Sequence, residues 1–199
     1  MTTVSKAILA ATAEVPEGTL ITAKSLLHLG SRAAIDQALA RLTKRGSLIR
    51  AGRGLYVRAI TSRFGTRAPS VESVVESVAV HKNEIIAPHG AAVANHMGLT
   101  TQVPMRSIYI TSGPSRIFRF GRQEVELQHA PRWQLILAGR PAGDAVRALA
   151  WSGQEKAGST LKVIKRRLPP AEVSALRGAA SQLPGWLAKH VSRLPRVHA

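Results

Sequence analysis

The fold prediction rests mainly on residues 19–58, TLITAKSLLHLGSRAAIDQALARLTKRGSLIRAGRGLYVR. Thr22 can cap a helix start, because its hydroxyl can accept a hydrogen bond from an unpaired backbone N–H, and residues 23–27 then form a short helix. Gly30 supplies the corner, since glycine adopts backbone angles that other residues disfavour. Ser31 caps a longer helix that ends near residue 45. A short helix joined to a longer one through a turn with glycine is the helix-turn-helix pattern.

The longer helix has an apolar face and a polar face. Its apolar residues recur at helical spacing and are Ile35, Ala38, Leu39 and Leu42. The opposite face carries Ala33, Gln37, Ala40, Arg41 and Lys44. Small alanines among long polar and basic side chains suit a helix that presses closely against a partner. The major groove of DNA is about 12 Å wide and admits such a helix.

A hairpin is predicted directly after this helix. Residues 48–51 and 55–58 are two apolar strands, and Gly52-Arg53-Gly54 forms the tip between them. Together with the two helices, this pattern indicates a winged helix-turn-helix. Structural and protein-binding domains also use this geometry, but the order, the element lengths and the arginine at the wing tip favour DNA binding.

The residues predicted to contact DNA are Ser31, Arg32, Ala33, Gln37, Arg41, Lys44, Arg50, Arg53 and Arg63. Arg32 and Gln37 lie near the helix start, where side chains reach base edges, whereas Arg41 and Lys44 are placed to contact phosphates. Residues 61–69 are predicted to be a basic linker, in which Arg63 and Arg67 either contact phosphates or are simply solvated.

Charge supports a polyanionic partner. The 199 residues carry a net charge of +17, which favours DNA, RNA or an anionic membrane. Residues 1–67 hold eleven Lys or Arg against three acids, and residues 68–199 hold seventeen against eight. The two parts therefore carry +8 and +9. A general contribution of arginine to solubility would explain part of this excess.

Several classes of protein are disfavoured by the sequence. There is no cysteine, which argues against disulfides and fits a reducing, cytoplasmic location. The N-terminus lacks the features of a signal peptide. No run of about 18 apolar residues occurs, so no membrane span is expected.

The rest of the chain predicts an α+β protein with an N-terminal domain, residues 1–67, and a second domain, residues 68–199. Val4, Ile8, Ala11 and Val15 mark a first helix. The second domain begins with a helix over 70–82, a strand over 84–87 and a helix over 89–97. Alternating residues then predict a three-stranded meander over 107–111, 116–120 and 124–128. Helices follow over 145–151, 159–167, 171–178 and 185–191.

Candidate chemistry is sparse, and we expect neither a catalytic site nor a cofactor. His81, His89 and His96 lack the spacing of a metal site. Glu124 and Glu126 share a strand face, but the lysine that a nuclease would place at residue 128 is a glutamine. A basic cluster of Lys162, Lys165 and Arg166 shares one helix face; it would bind nucleic acid or an acidic partner, or would be a solvated surface.

The chain resembles the AbiEi-type antitoxins, the transcriptional-regulator half of type IV toxin–antitoxin systems. The match lies in Ser31, Ala34 and Ile35, in Leu39-Ala40-Arg41-Leu42, and in the wing from Gly46 to Tyr56. APHGAAVANHMGLTTQ, HAPRW and RALAW extend it over most of the chain. The N-terminal motif alone is shared with other winged-helix proteins.

This resemblance implies a repressor that binds inverted repeats in the operator of its own operon, with copies of the protein pairing on the DNA. It also implies a role in phage defence through an antitoxin activity. In that family the second domain counteracts a neighbouring nucleotidyltransferase-like toxin without forming a stable complex. A nucleic-acid-processing enzyme and an RNA-binding protein are the alternatives, although paired acids with a lysine and an aromatic stacking motif are not evident.

Overall fold

The computed structural model describes residues 3–63, 65–103 and 105–195. The protein is an α+β protein with small antiparallel sheets and C-terminal helices. The N-terminal elements are α1 (Thr3–Ala13), a 3-10 helix (Lys24–Leu29), α2 (Arg32–Lys44), β1 (Leu48–Gly52), β2 (Leu55–Arg58), β3 (Ile60–Ser62), β4 (Gly65–Arg67) and α3 (Val71–Lys82). The remaining elements are β5 (Ile86–Pro88), α4 (Gly90–His96), β6 (Ser107–Thr111), β7 (Arg116–Phe120), β8 (Gln123–His129), α5 (Arg132–Leu135), α6 (Pro141–Arg167), α7 (Pro170–Gly178), a 3-10 helix (Ala180–Gln182) and α8 (Gly185–Val191).

The chain forms two compact units. The first comprises Met1–Glu84 with Ile117–Val125, and the second comprises Ile85–Arg116 with Glu126–Ala199. The domain boundary predicted at residue 67 lies within the first unit. Helix α3 belongs to the first unit in part because it is hydrogen-bonded to the segment after α1: the backbone N–H of Leu20 donates to the Ser77 hydroxyl at 2.8 Å.

The first unit is built around the apolar face of α2. The stripe predicted from helical spacing is confirmed, because Ile35, Ala38, Leu39 and Leu42 are all buried. They pack against Ile8 of α1 and against a set of buried residues from neighbouring elements: Ile21, Ala23, Leu26 and Leu48. Burying one large aliphatic side chain stabilises a fold by about 1.5–3 kcal/mol, so this cluster fixes the orientation of α2.

The predicted helix starts in this unit are confirmed, with one change. The hydroxyl of Ser31 accepts a hydrogen bond from the N–H of Ala34 at 3.3 Å, and α2 ends just before Gly46, whose φ is +75°. The Thr22 hydroxyl accepts a bond from the N–H of Ser25 at 3.1 Å. The helix that follows is a 3-10 helix beginning at Lys24, rather than an α-helix over residues 23–27.

Two predictions for the first unit are wrong. Val15 is 38% exposed, because α1 ends at Ala13 and the chain turns before the last residue of the predicted stripe. The predicted linker contains the hairpin β3–β4, in which Thr61 faces Thr66. β-branched residues favour strands, and Gly65 at φ +113° supplies the turn. Phe64, which belongs to the predicted linker, lies outside the described residues.

The four-stranded sheet differs from the predicted meander. Its strand order is β5-β6-β8-β7, so β8 lies between β6 and β7. The two residues Gly121 and Arg122 connect β7 to β8, which then continues alongside β6. The predicted strand over 84–87 forms two residues later as β5, which pairs antiparallel with β6.

The C-terminal helices form the core of the second unit. α6 runs from Pro141 to Arg167, with a break at Gly153, whose φ of +77° is not helical. The sequence placed two separate helices here. Along α6, Val146, Leu149 and Ile164 are buried in one cluster with residues of α7 and α8. The short helix α5 was not predicted.

Among the described residues, no helix is long and apolar enough to cross a membrane.

Candidate nucleic-acid interface

The face of α2 opposite the core is open to solvent. The residues that the sequence placed there, Ala33, Gln37, Ala40, Arg41 and Lys44, are all exposed. The side chains of Ala33 and Ala40 are short, so a surface can approach the helix backbone between the long polar side chains. The α2 face, defined by these five residues, therefore combines access with hydrogen-bonding and positive groups.

Of the two residues predicted to read bases, Arg32 has a side-chain partner among the described residues and Gln37 does not. Its Nε donates to the Asp36 carboxylate at 2.9 Å, one turn further along α2. Both side chains are more than half exposed, so the pair is weak and can exchange for another acceptor. Gln37 has no side-chain hydrogen bond to any other described residue. Of the two, Gln37 is the side chain that needs no rearrangement before it binds a partner.

Three cations of the first unit are also available to a partner. Arg41, Lys44 and Arg53 are exposed, and within the described residues none of them forms a salt bridge or a side-chain hydrogen bond. An unpaired surface cation gains more from a phosphate than one that must first give up a carboxylate. These three side chains are therefore the clearest candidates for phosphate contacts in the first unit.

The β1–β2 hairpin presents Arg53 at its turn. Leu48 pairs with Arg58 and Ile49 with Val57, and the register shifts between Arg50 and Gly52. Gly54 has a φ of +72°, which a side chain would disfavour, and closes the turn after Arg53. The Nε of Arg50 donates to the Gly52 carbonyl at 3.2 Å, so this predicted DNA ligand also braces the hairpin.

The hairpin is held to the helical part of the unit. Ile21 and Tyr56 exchange two backbone hydrogen bonds of 2.8 and 3.0 Å. Tyr56 also packs against the core beneath α2. The segment before the 3-10 helix, the hairpin and α2 are therefore one connected structure, in which Arg53 and the α2 face are carried on fixed elements.

The two basic residues of the predicted linker have different environments. Arg63 is exposed in the turn of the β3–β4 hairpin. Arg67 instead binds Glu17 through both terminal nitrogens, at 2.8 and 3.2 Å. The Arg67 guanidinium holds the pKa of the Glu17 carboxyl below its ordinary value, and the backbone N–H of Ser70 acts in the same direction. Arg67 therefore has a structural partner, which sequence reasoning missed because the two residues are 50 positions apart.

The second predicted basic face lies on the last turns of α6. Lys162, Lys165 and Arg166 are exposed, as expected from their spacing. Cations near a helix C-terminus also interact favourably with the helix dipole, which gives them a role without any ligand.

His89 and the two acids considered in the sequence have ordinary partners. The Nδ1 of His89 accepts the N–H of Ala91 at 3.2 Å at the start of α4, and burial lowers the pKa of His89 while Glu126 opposes this shift. Glu124 forms a salt bridge with Arg119, and Glu126 accepts a hydrogen bond from Gln128. Among the described residues, no group of three histidine or acidic side chains is arranged to hold a metal ion.

Comparison with known proteins gives a family but no activity. The sequence pattern of a family of unknown function, DUF6088, matches residues 7–169. The crystal structure of the RV2827C protein from Mycobacterium tuberculosis is similar, with a TM-score of 0.48 and 18% identity over 98% of this chain and 73% of that chain. No curated protein matches the chain significantly.

Proposed function

We propose that this chain, which belongs to that family of unknown function, binds double-stranded DNA in a sequence-specific manner. In this proposal the first unit contains a winged helix-turn-helix. The 3-10 helix and α2 form the helix-turn-helix, α2 enters the major groove, and the β1–β2 hairpin is the wing.

The observation that carries the proposal is the composition of the α2 face. Gln37 can form two hydrogen bonds with adenine, while Arg41 and Lys44 further along the helix neutralise phosphates. All three are exposed and without a side-chain partner among the described residues. The buried stripe on the other side of α2 keeps this face turned outward.

The wing supplies a second contact. Arg53 is carried at a two-residue turn, and narrow A·T-rich minor grooves concentrate the negative potential that attracts an inserted arginine. Because the hairpin is tied to the segment before the 3-10 helix, the wing and α2 engage the duplex together. The net charge of +17 adds a non-specific contribution that weakens as salt is raised.

The biological role proposed here rests on the resemblance to AbiEi-type antitoxins. The protein represses its own operon by binding inverted repeats in the operator, and its second domain counteracts a neighbouring nucleotidyltransferase-like toxin without a stable complex. Two copies on a palindromic site would place their α2 helices about one DNA turn apart. Neither an enzymatic activity nor a cofactor is part of this proposal.

The experiment is a binding titration of the full chain with the DNA upstream of its own gene. Fluorescence anisotropy compares that duplex with a scrambled duplex of the same composition and with an RNA duplex of the same sequence. The proposal expects the upstream duplex to bind more tightly than either competitor. Equal binding of upstream and scrambled DNA would show that binding is non-specific and driven by charge. Tighter binding of the RNA duplex would favour the RNA-binding alternative.

A further inference from the structure

A cavity of about 780 Å³ lies within the second unit. Its walls come from the ends of β6 and β8, from α5 and from the segment after α5. Most of the lining is aliphatic and includes Ile85, Pro131, Leu135, Ile136, Leu137 and Ala138. Cavities of this size with apolar walls and a few polar groups are the usual sites of small ligands.

The apolar wall contains a strained residue. Leu137 has a φ of +53°, in a region that residues with a side chain rarely occupy. Its carbonyl accepts the N–H of Arg140 at 3.1 Å, and a side chain added at Gly143 would clash with that carbonyl. The start of α6 therefore holds Leu137 in place. Strain that the surroundings enforce in this way is concentrated at ligand sites.

Four polar side chains stand beside the apolar wall, namely those of Ser112, His129, Arg132 and Gln182. The imidazole Nδ1–H of His129 donates to the Gly113 carbonyl at 2.9 Å, and the backbone N–H of His129 donates to the Ser115 hydroxyl. These bonds fix the ring and leave Nε2 for another partner. Arg132 is exposed and has no side-chain partner among the described residues. The cavity thus offers one unpaired cation at the edge of a hydrocarbon surface.

We propose that this cavity binds a medium-chain aliphatic carboxylate, with its hydrocarbon chain along the wall from Leu135 to Ala138 and its carboxylate on Arg132. No Phe, Tyr or Trp side chain lines the cavity in the described part of the chain, and most of the lining is aliphatic, so its walls suit a flexible alkyl chain. The exposed Ile85, 48% accessible, would be covered by the ligand. This site goes beyond DNA binding and does not depend on it.

The test uses octanoate and octanamide as a matched pair, titrated into the full chain by isothermal calorimetry. The two probes share the alkyl chain, and only octanoate carries a charge. Octanoate should bind saturably, and Arg132→Gln should weaken it by about tenfold to a hundredfold, as expected for the loss of a charge-assisted hydrogen bond. The same variant should leave octanamide affinity unchanged.

Two further variants complete the test. Arg193→Gln removes an exposed arginine outside the cavity and should leave both affinities unchanged. Ala138→Phe fills the cavity and should abolish binding of both probes, with circular dichroism confirming that the variant is folded. The proposal is overturned if octanoate does not bind saturably, if it binds no more tightly than octanamide, or if Arg132→Gln and Arg193→Gln weaken octanoate equally.

Discussion

The carboxylate of Glu17 accepts hydrogen bonds from both terminal nitrogens of Arg67 and, at 3.0 Å, from the backbone N–H of Ser70. Glu17 lies in the turn after α1, and Ser70 caps the start of α3. One side chain thus connects the beginning of the first unit to the end of the β3–β4 hairpin and to α3.

This ion pair predicts a pH-dependent contribution to stability. The pKa of Glu17 is lowered from 4.5, so its charge stabilises the fold above that pH and the contribution disappears as pH falls through the lower value of the folded state. Glu17→Gln should therefore melt at a lower temperature than the parent at about pH 7, and the difference should shrink as the pH falls below 4.5 and the Glu17 carboxylate becomes protonated. Glu14→Gln, which changes an exposed residue of the same stretch, is the control. A difference that persists unchanged at low pH would contradict the assignment.

Helix α3 is predicted to stabilise the N-terminal fragment. Ser77 accepts the Leu20 N–H, and a side chain at Gly18 would collide with Ser73, so α3 packs closely on the turn after α1. A fragment of residues 1–84 should melt cooperatively and at a higher temperature than a fragment of residues 1–67. Both fragments lack residues 117–125, so the comparison isolates α3. Identical melting curves by circular dichroism would show that α3 adds no stability to the fragment of residues 1–67.

Base reading is predicted to depend on Gln37. Gln37→Ala should cost about 1–3 kcal/mol of binding free energy on the preferred duplex and relax the preference at one base position. Lys44→Ala, about two turns further along α2, should instead weaken binding of preferred and scrambled DNA alike. Competition binding with every single-base variant of the site measures both effects. An unchanged base preference in Gln37→Ala would remove Gln37 from the reading surface.

The wing is predicted to contribute through charge. Arg53→Ala should lower affinity and reduce the slope of log affinity against log salt by about one, since one fewer phosphate is neutralised. Arg177→Ala, in α7 of the second unit, provides a control for the loss of one positive charge. If Arg53→Ala and Arg177→Ala have the same affinity and the same slope, the wing makes no specific contact.

Local sequence patterns were sufficient to predict α2 and its exposed face in the first unit. The α2 stripe could be predicted because four apolar residues recur at the helical period, and the start at Ser31 follows from the short range over which a cap acts. The sequence also placed Gln37, Arg41 and Lys44 on the exposed side. That they contact DNA stays a prediction.

Long-range pairing could not be predicted in the same way. The position of β8 between β6 and β7 depends on strand pairing across many residues, and the alternation of each strand is the same in either order. The Glu17–Arg67 pair and the cavity beside Leu137 assemble residues that are distant in sequence. The linker prediction was wrong for a local reason, since glycine and polar residues suit a hairpin turn as well as a flexible connection.

Sequence reading by the α2 face is tested by the ratio of affinities for the upstream and the scrambled duplex. The ratio is determined at about 150 mM salt for the parent and for a variant with Gln37, Arg41 and Lys44 all changed to alanine. A second variant with Lys162 and Lys165 changed to alanine provides a control that also loses two positive charges. We predict a ratio of at least about tenfold for the parent, a ratio near one for the α2 variant and a preserved ratio for the control. If the parent binds both duplexes equally, or if the α2 variant keeps the parent's ratio, the α2 face does not read DNA sequence.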